Sequence, residues 1–252
     1  MLAFERREAI VKQISIEEKV LVSDLSKQFD VSEETIRRDL EKLEKEGVVS
    51  RTHGGATLIK QKSPDIPYIT RNSLNKNLKV KIAQKVLDLI PDGATLMVDA
   101  SSTVFEALNC LKDTKTNLSV ITNSIDILSS FLSSDLQLIS TGGTLQKHSQ
   151  SMVGSTTEMT LQRYNVDFGI FSCRSLSLIN GVMDSNEPES EVKKSMSERS
   201  TKVILLVDST KFDTESFINV FSLADIDYLI TDKKPSQTWI DSCTEKNIQL
   251  IY

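Results

Sequence analysis

The chain has 252 residues, 39% of them hydrophobic and 26% charged, which is the composition of an ordinary globular protein with one or two domains. Its net charge of −5 excludes a basic coat that binds nucleic acid over the whole surface. No stretch approaches the roughly 20 apolar residues that span a bilayer, and three distant cysteines fit thiols in a reducing compartment better than disulfides. We therefore expect a cytoplasmic protein with no membrane partner.

The chain divides near residue 60. The segment LIKQKSPDIPY there contains two prolines and lacks an amphipathic period, which is typical of a linker. We predict a first domain over residues 1–58, a linker over 59–74 and a second domain over 75–252.

Three amphipathic helices are predicted in the first domain. Their apolar positions are Phe4, Val11 and Ile14, then Val22, Leu25 and Phe29, then Ile36, Leu40 and Leu43. Ser23 and Ser32 are candidate N-caps of the second and third helices, and Gly47 is a candidate stop for the third. Only three or four residues around Asp30 separate the second and third helices, which is the tight connection of a helix-turn-helix.

A hairpin follows the third helix. The segment VVSRTHGGATL predicts two short strands joined at residues 53–55, and such a hairpin beside a helix-turn-helix is called a wing. Arg51 and His53 on this wing are placed to meet a DNA backbone or minor groove.

The exposed face of the third helix suits the major groove of DNA. Arg38 and Lys45 point away from the apolar stripe, with Thr35 and Lys42 on one side and Arg37 on the other. Acidic residues share this face, so a solvated helix of mixed charge is the alternative. From residue 37 to 85 the chain has twelve basic and five acidic side chains, and this excess favours DNA binding.

The first domain resembles the amino-terminal domain of the DeoR family of bacterial transcriptional regulators, on the segments VSEETIRRDLEKLE and RTHGGA. The resemblance implies a helix-turn-helix at about 20–39 and a recognition helix at about 32–45. With the face described above, the expected DNA contacts are Ser32, Thr35, Arg37, Arg38, Lys42, Arg51 and His53. We expect Asp39 to fix an arginine or a cap, because phosphate would repel its carboxylate.

The second domain has the pattern of an α/β fold. Seven apolar runs recur as TLMVD, LSVIT, LQLIS, DFGIF, KVILLVD, DYLIT and IQLIY. Amphipathic segments such as 79–90 and 191–200 alternate with them, which predicts a mostly parallel sheet covered on both faces. Ligands of such sheets bind beyond the carboxyl ends of the strands.

Polar residues follow four of these predicted strands. The four loops contain Ser101, Ser102 and Thr103; Asn123 and Ser124; Thr141, Gly142 and Gly143; and Ser209, Thr210 and Lys211. Hydroxyl and N–H groups at a helix start form an anion site. Turn and cap residues that any α/β protein needs are the alternative, but four converging loops with Asp99 and Asp208 favour a binding site.

The second domain also resembles the effector domain of the same family, up to about Asp232. The resemblance rests on VDASST, VITNS, STGG, ESEVKKSM and LLVDSTKF. It implies a fold related to ribose-phosphate isomerase, glucosamine-phosphate deaminase and coenzyme A transferases, and a sugar phosphate as the effector. The implied effector contacts, with Ser101 added from the first loop, are Asp99, Ser101, Ser102, Thr103, Thr122, Asn123, Gly142, Gly143, Lys193 and Lys211.

Three serines depart from the family pattern. Ser101, Ser172 and Ser175 stand where glycines are expected, and their Cβ and hydroxyl groups occupy space next to a ligand. This departure predicts an unusual effector or weak binding.

The sequence therefore predicts a repressor of a carbohydrate-metabolism operon that binds double-stranded operator DNA as a dimer or tetramer and responds to a phosphorylated sugar. We expect no cofactor, no metal site and no catalytic residue, because the chain has no GxxxxGK, HExxH or paired CxxC motif. One alternative is a sugar-phosphate isomerase or deaminase with a DNA-binding appendage, using Asp99, Asp208 or Glu191 as base. Another is a regulator that has lost its ligand.

Overall fold

The computed structural model describes residues 2–17, 19–45, 48–58 and 66–252. The predicted helix stop at Gly47, the side chain of Phe4 and residues 59–65 of the predicted linker lie outside this description. The chain divides into two compact units, Met1–Leu74 and Asn75–Tyr252. Among the described residues, no helix has the length and apolar character needed to cross a membrane.

The first unit contains the three predicted helices and the wing. Its helices are α1 (Ala3–Glu17), α2 (Val22–Phe29), α3 (Glu33–Lys45) and α4 (Tyr68–Ser73), and its strands are β1 (Lys19–Leu21), β2 (Val49–Thr52) and β3 (Gly55–Leu58). Ile14, Leu25, Ile36 and Leu40 are at most 1% exposed and form one core with the base of the wing. The three stripes therefore meet as their helical spacing predicts.

Strand β1 was not predicted. It pairs antiparallel with β3, so the two strands of the wing belong to a three-stranded sheet in the order β1-β3-β2. A Cβ on Gly55 would lie 2.1 Å from the Val20 carbonyl oxygen, so glycine is needed where these two strands meet. A three-residue strand is too short to show a period in the sequence.

One further expectation for the first unit was wrong. Ser23 is not the N-cap of α2, because the helix begins at Val22 and the Ser23 hydroxyl bonds instead to Asp24. The predicted linker contains the helix α4, which begins directly after Pro67 and buries Tyr68. Proline is tolerated at a helix start, so this helix is compatible with the prolines of the segment.

The second unit is built on a seven-stranded sheet in which every neighbouring pair is parallel. Its order is β15-β14-β12-β9-β4-β5-β6. In chain order the strands are β4 (Thr95–Val98), β5 (Ser119–Thr122), β6 (Gln137–Ser140), β9 (Val166–Ser172), β12 (Ser200–Leu206), β14 (Tyr228–Ile230) and β15 (Gln249–Ile251). These are the seven predicted runs, and the predicted fold class is confirmed.

Helices cover both faces of this sheet. They are α5 (Lys76–Val86), α6 (Ser102–Leu111), α7 (Ile125–Ser130), α8 (Ser155–Leu161), α9 (Glu187–Ser197) and α10 (Gln237–Glu245). Alternate strand residues belong to different cores: Leu96 and Val98 pack with α5, α6 and α7, whereas Met97 is in the core that contains α8, α9 and α10. Trp239 of α10 is 1% exposed and belongs to this second core.

Two small antiparallel sheets stand beside the large one. The hairpin β7 (Thr144–Gln146) and β8 (Ser151–Val153) is one, and β10 (Ser175–Ser177), β11 (Gly181–Asp184) and β13 (Ile218–Phe221) form the other. A 3-10 turn spans Leu223–Asp225. Because all seven strands of the large sheet run in one direction, their polar carboxyl ends lie along one edge.

Candidate DNA interface and effector site

The recognition helix α3 begins at a hydroxyl cap. Ser32 accepts a hydrogen bond from the Thr35 N–H at 3.2 Å, and the two hydroxyls lie 2.9 Å apart. Asp30, with φ of 51°, makes the left-handed turn that separates α2 from α3. The turn and the cap thus set where the recognition helix starts.

The predicted DNA contacts on α3 lie on its exposed face. Arg37, Arg38 and Lys42 are exposed, as is Ser32, and Thr35 is half-buried. Arg37 and Arg38 each pair with a glutamate one turn earlier, at 2.9 and 3.4 Å. Such exposed pairs are worth only about 0–1 kcal/mol, so both guanidinium groups can exchange these partners for phosphate or base edges.

Asp39 has the role expected of it. Its carboxylate is 6% exposed and accepts from Arg6 Nε at 2.6 Å and from Arg7 at 3.4 Å. Both arginines are on α1, so this ion pair fixes the recognition helix against the first helix.

The wing is tied to the end of the recognition helix. Glu44 accepts from the Arg51 N–H at 3.0 Å and from Arg51 Nε at 2.7 Å. These bonds, the backbone one first, lower the pKa of Glu44. His53 and Gly54 form the exposed tip, where Gly54 has φ of 87°.

In the second unit, Asp99 is the centre of a buried network at the carboxyl end of β4. It is 4% exposed and accepts from the Ser101 N–H at 3.1 Å, the Ser101 hydroxyl at 2.7 Å and the Ser172 N–H at 3.4 Å. Lys193 approaches the same carboxylate at 3.1 Å. The protein itself therefore surrounds Asp99 with donors.

Lys193 joins the ends of three strands. Its ammonium contacts Asp99, the Asp184 carboxylate at 2.6 Å and the carbonyl of Ser172. Burial alone would lower the pKa of Lys193, but Asp184 and Asp99 raise it overall. A lysine with three such acceptors has its donors engaged, so it holds the site together.

Lys211 has a similar position at the ends of β9 and β12. It donates to the Cys173 carbonyl at 2.7 Å and to the Ser172 hydroxyl at 3.3 Å, and lies 3.7 Å from Asp208. Burial acts to raise the pKa of Asp208, but Lys211 and the bonds from Thr210 lower it overall. The predicted loop at 209–211 therefore meets the end of β9, which was not among the four predicted loops.

Among the described residues, no side chain caps the start of α6. Ser101 occupies the N-cap position, yet its hydroxyl bonds to Asp99 rather than to an N–H group of the helix. Ser102 and Thr103 follow in the first turn and are 5% and 1% exposed. Helix N–H groups without a cap favour a negative charge.

The ends of β5 and β6 complete this edge of the sheet. Thr122 is fully buried, and its hydroxyl donates to the Val98 carbonyl at 2.9 Å and accepts from the Ser124 N–H at 3.1 Å, which gives it a structural role. Asn123 donates to the Met152 carbonyl, and its side-chain oxygen is buried without a partner in the described structure.

The two glycines after β6 are there for conformational reasons. Gly142 and Gly143 have φ of 64° and 120°, and a Cβ on Gly143 would lie 2.1 Å from the Thr157 hydroxyl. They shape the loop at this end of the sheet.

Two charged residues of this network were missed. Asp184 ends the short strand β11, and Lys79 lies on α5, is 4% exposed and acts electrostatically on Asp208. Lysine on a predicted amphipathic helix is usually exposed, so Lys79 gave no signal in the sequence. Asp184 is the last residue of a strand of only four residues, which is too short to predict from the sequence.

The three serines that replace expected glycines have different surroundings. Ser101 bonds to Asp99, and the Ser172 hydroxyl donates to the Leu206 carbonyl at 2.7 Å. The Ser175 hydroxyl is buried and has no partner among the described residues. The first two thus reinforce the network.

Comparison with protein families matches both halves of the chain. Residues 6–62 match the DeoR-like helix-turn-helix domain, and residues 74–233 match the DeoR C terminal sensor domain. Together these matches cover most of the chain and confirm the resemblance seen in its motifs.

Similar proteins of known name are regulators. The HTH-type transcriptional regulator YulB of Bacillus subtilis is 38% identical over 99% of this chain and 96% of its own length. The L-fucose operon activator of Haemophilus influenzae is 33% identical over 98% of both chains. The glycerol-3-phosphate regulon repressor of Escherichia coli is 29% identical over 98% of this chain and 97% of its own length.

Solved structures resemble only part of the chain. Ribose 5-phosphate isomerase A of Methanocaldococcus jannaschii is 16% identical, with a TM-score of 0.41 over 55% of each chain. The delta subunit of eIF2B from Chaetomium thermophilum is 15% identical, with a TM-score of 0.49 over 66% of this chain and 60% of that one.

Proposed function

The chain belongs to the DeoR family of transcriptional regulators, and we propose that it is a repressor of a carbohydrate-metabolism operon whose operator affinity is controlled by a phosphorylated sugar. The observation that carries the DNA-binding part is the exposed face of α3, held in place by the buried Asp39–Arg6 pair. The uncapped start of α6 beside the Asp99 network carries the effector part.

The DNA contacts we propose are the exposed residues of α3 and the tip of the wing. Arginine offers paired donors to guanine, and threonine or serine hydroxyls contact phosphate or base edges. The proposed set is Ser32, Thr35, Arg37, Arg38, Lys42 and His53. Arg51 is not in this set, because Glu44 holds its guanidinium.

Arg38→Ala tests the DNA interface. The probe is a duplex selected by the protein from random sequence, and fluorescence anisotropy measures its affinity over a range of salt concentrations. We expect specific binding to weaken by about 1–3 kcal/mol with the fold intact by circular dichroism. Lys112→Ala, on the second unit, is the control for loss of one surface cation. Unchanged affinity of Arg38→Ala would contradict the proposed interface.

The phosphate of the effector is proposed to bind at the start of α6. Ser102 and Thr103 can donate hydroxyl bonds there, and the helix dipole favours the charge. The unpartnered buried oxygen of Asn123 requires a donor, and a sugar hydroxyl would supply it. Lys193 and Lys211 hold the surrounding loops in place through Ser172.

A matched pair of variants tests the phosphate site. Ser102→Ala/Thr103→Val removes two hydroxyls from α6, and Ser155→Ala/Thr156→Val removes the same two groups from the first turn of α8. Calorimetric titration with inorganic phosphate, glycerol 3-phosphate and ribose 5-phosphate gives the affinities. We expect the α6 variant to bind at least about tenfold more weakly and the α8 variant to match wild type.

The effector's role is tested by measuring operator affinity with and without each sugar phosphate. A sugar phosphate that binds wild type should also lower its operator affinity, because an effector must bind one state more tightly than the other. Failure of every sugar phosphate to bind would favour a regulator that has lost its ligand.

We propose no enzymatic activity. The Asp99 carboxylate accepts bonds from Ser101, Ser172 and Lys193, which leaves it poorly placed to take a proton from a substrate carbon. NMR spectra of sugar phosphates incubated with the protein should stay unchanged, and turnover that is lost in Asp99→Ala would contradict this.

The protein is proposed to act in the cytoplasm as a dimer or tetramer. One winged head covers a short site, and paired heads read half-sites one helical turn apart. Light scattering of the free protein and of its complex with the selected duplex measures the assembly. A monomer in both would contradict this proposal.

A further inference from the structure

One carboxylate links the recognition helix to the wing. Glu44, in the last turn of α3, uses one oxygen for the backbone N–H of Arg51 and the other for its Nε. Arg51 is on β2, so the bonded pair spans two elements. The Arg51 guanidinium is thereby held by the helix.

The other glutamates on this face bond differently. Glu33, Glu34 and Glu41 each pair with a cation four residues later on α3 itself. The hydrogen bonds of those pairs lie within α3, whereas the bonds of Glu44 join α3 to β2. The side chains of Glu44 and Arg51 are 38% and 44% exposed, so the pair lies at the surface of the first unit.

We propose that Glu44 is a positioning residue for DNA binding, which holds the wing in register with the recognition helix, and that Arg51 is its structural partner. This replaces the expectation that Arg51 contacts DNA. Glu44 acts through the wing and touches no base or phosphate itself. The proposal rests on the DNA interface described above.

Because Glu44 is negatively charged, the sign of the change in DNA affinity on its removal tests the proposal. A carboxylate beside DNA opposes binding, so its removal should tighten binding if charge alone matters. If Glu44 positions the wing, its removal should weaken binding although a negative charge has been lost.

The experiment measures the affinity of the full chain for the selected duplex at several salt concentrations. For Glu44→Ala we expect up to about fivefold weaker binding, with the salt dependence unchanged. Glu44→Gln should fall between Glu44→Ala and wild type, because its amide oxygen still accepts the Arg51 N–H but its amide nitrogen cannot accept from Nε. Hydroxyl-radical footprints should lose protection where the wing contacts DNA and keep it where α3 contacts DNA.

Glu41→Gln is the matched control. It removes the same charge from the same helix, but its partner Lys45 is also on α3. We expect its affinity to equal or exceed that of wild type. If wild type and this control do not bind the duplex, the proposed DNA interface has failed. If both bind it, the comparison tests the role of Glu44 alone.

Arg51 variants separate the two roles of the arginine. Arg51→Ala should weaken binding as much as Glu44→Ala, and the double variant should weaken it no further. A phosphate contact would instead reduce the salt slope by about one. Unchanged or tighter binding by Glu44→Ala, or a reduced salt slope in Arg51→Ala, would overturn the proposal. Circular dichroism verifies that each variant is folded, and Glu44→Gln serves if Glu44→Ala is not.

Discussion

Removal of the Asp39 carboxylate should destabilise the first unit strongly. In Asp39→Ala the Arg6 guanidinium, 8% exposed, keeps its charge but loses the carboxylate at 2.6 Å. Breaking a buried pair from one side costs about 3–5 kcal/mol, a large part of the 5–15 kcal/mol that a domain has in total. With a typical urea dependence for a small domain, this lowers the unfolding midpoint by roughly 2 M.

The chain offers a way to see this unit separately. Trp239 is the only tryptophan and lies in the core of the second unit, so its fluorescence reports unfolding there. Far-UV circular dichroism reports both units. We expect Asp39→Ala to shift the circular dichroism transition that belongs to α1, α2 and α3, and to leave the fluorescence transition in place.

Two control variants separate loss of the buried pair from other losses of stability. Glu34→Ala breaks an exposed pair with side chains 67% and 77% exposed, and should cost about 1 kcal/mol or less. Arg6→Met/Asp39→Leu replaces both charges by apolar groups and should be more stable than Asp39→Ala. If Asp39→Ala is no less stable than Glu34→Ala, the buried pair does not stabilise the fold as described.

Three further predictions concern the second unit. Burial acts to raise the pKa of Asp208, but Lys211 and the bonds from Thr210 lower it overall. The ionised carboxylate therefore stabilises the folded protein fully above the unfolded-state pKa of about 3.9, and this contribution is lost as pH falls through the lower folded-state pKa. The difference in unfolding free energy between wild type and Asp208→Asn should therefore shrink below about pH 4, measured in urea; a constant difference down to pH 2.5 contradicts this. Gly143→Ala should lose about 1–3 kcal/mol more in thermal unfolding than Gly93→Ala, since both have positive φ but only Gly143 lacks space for a Cβ; equal losses would refute the steric argument. Burial raises the pKa of Cys173 to about 12, so it should not react with a disulfide reagent at pH 8 until the protein unfolds, as followed by mass spectrometry; rapid labelling of the native protein would contradict that.

Much of the fold could be predicted from periodicity. Apolar residues at helical spacing predicted the first three helices, and short apolar runs predicted the seven strands of the large sheet. The parts that were missed are short or depend on partners far away in the chain. Strand β1 exists because it pairs with β3, and the helix α4 lies in a segment whose prolines gave no helix signal.

The candidate sites show the same division. Local spacing along the chain already indicates which polar groups follow the sheet strands and which side chains face outward on α3. How these groups are used depends on contacts between elements that are distant in the chain. Glu44 and Arg51 are seven residues apart, and Asp99 and Lys193 lie 94 residues apart (193 − 99), yet each pair forms an ion pair. The packing of whole helices and strands brings the two members of such an ion pair together, so the local sequence around either residue does not predict its partner.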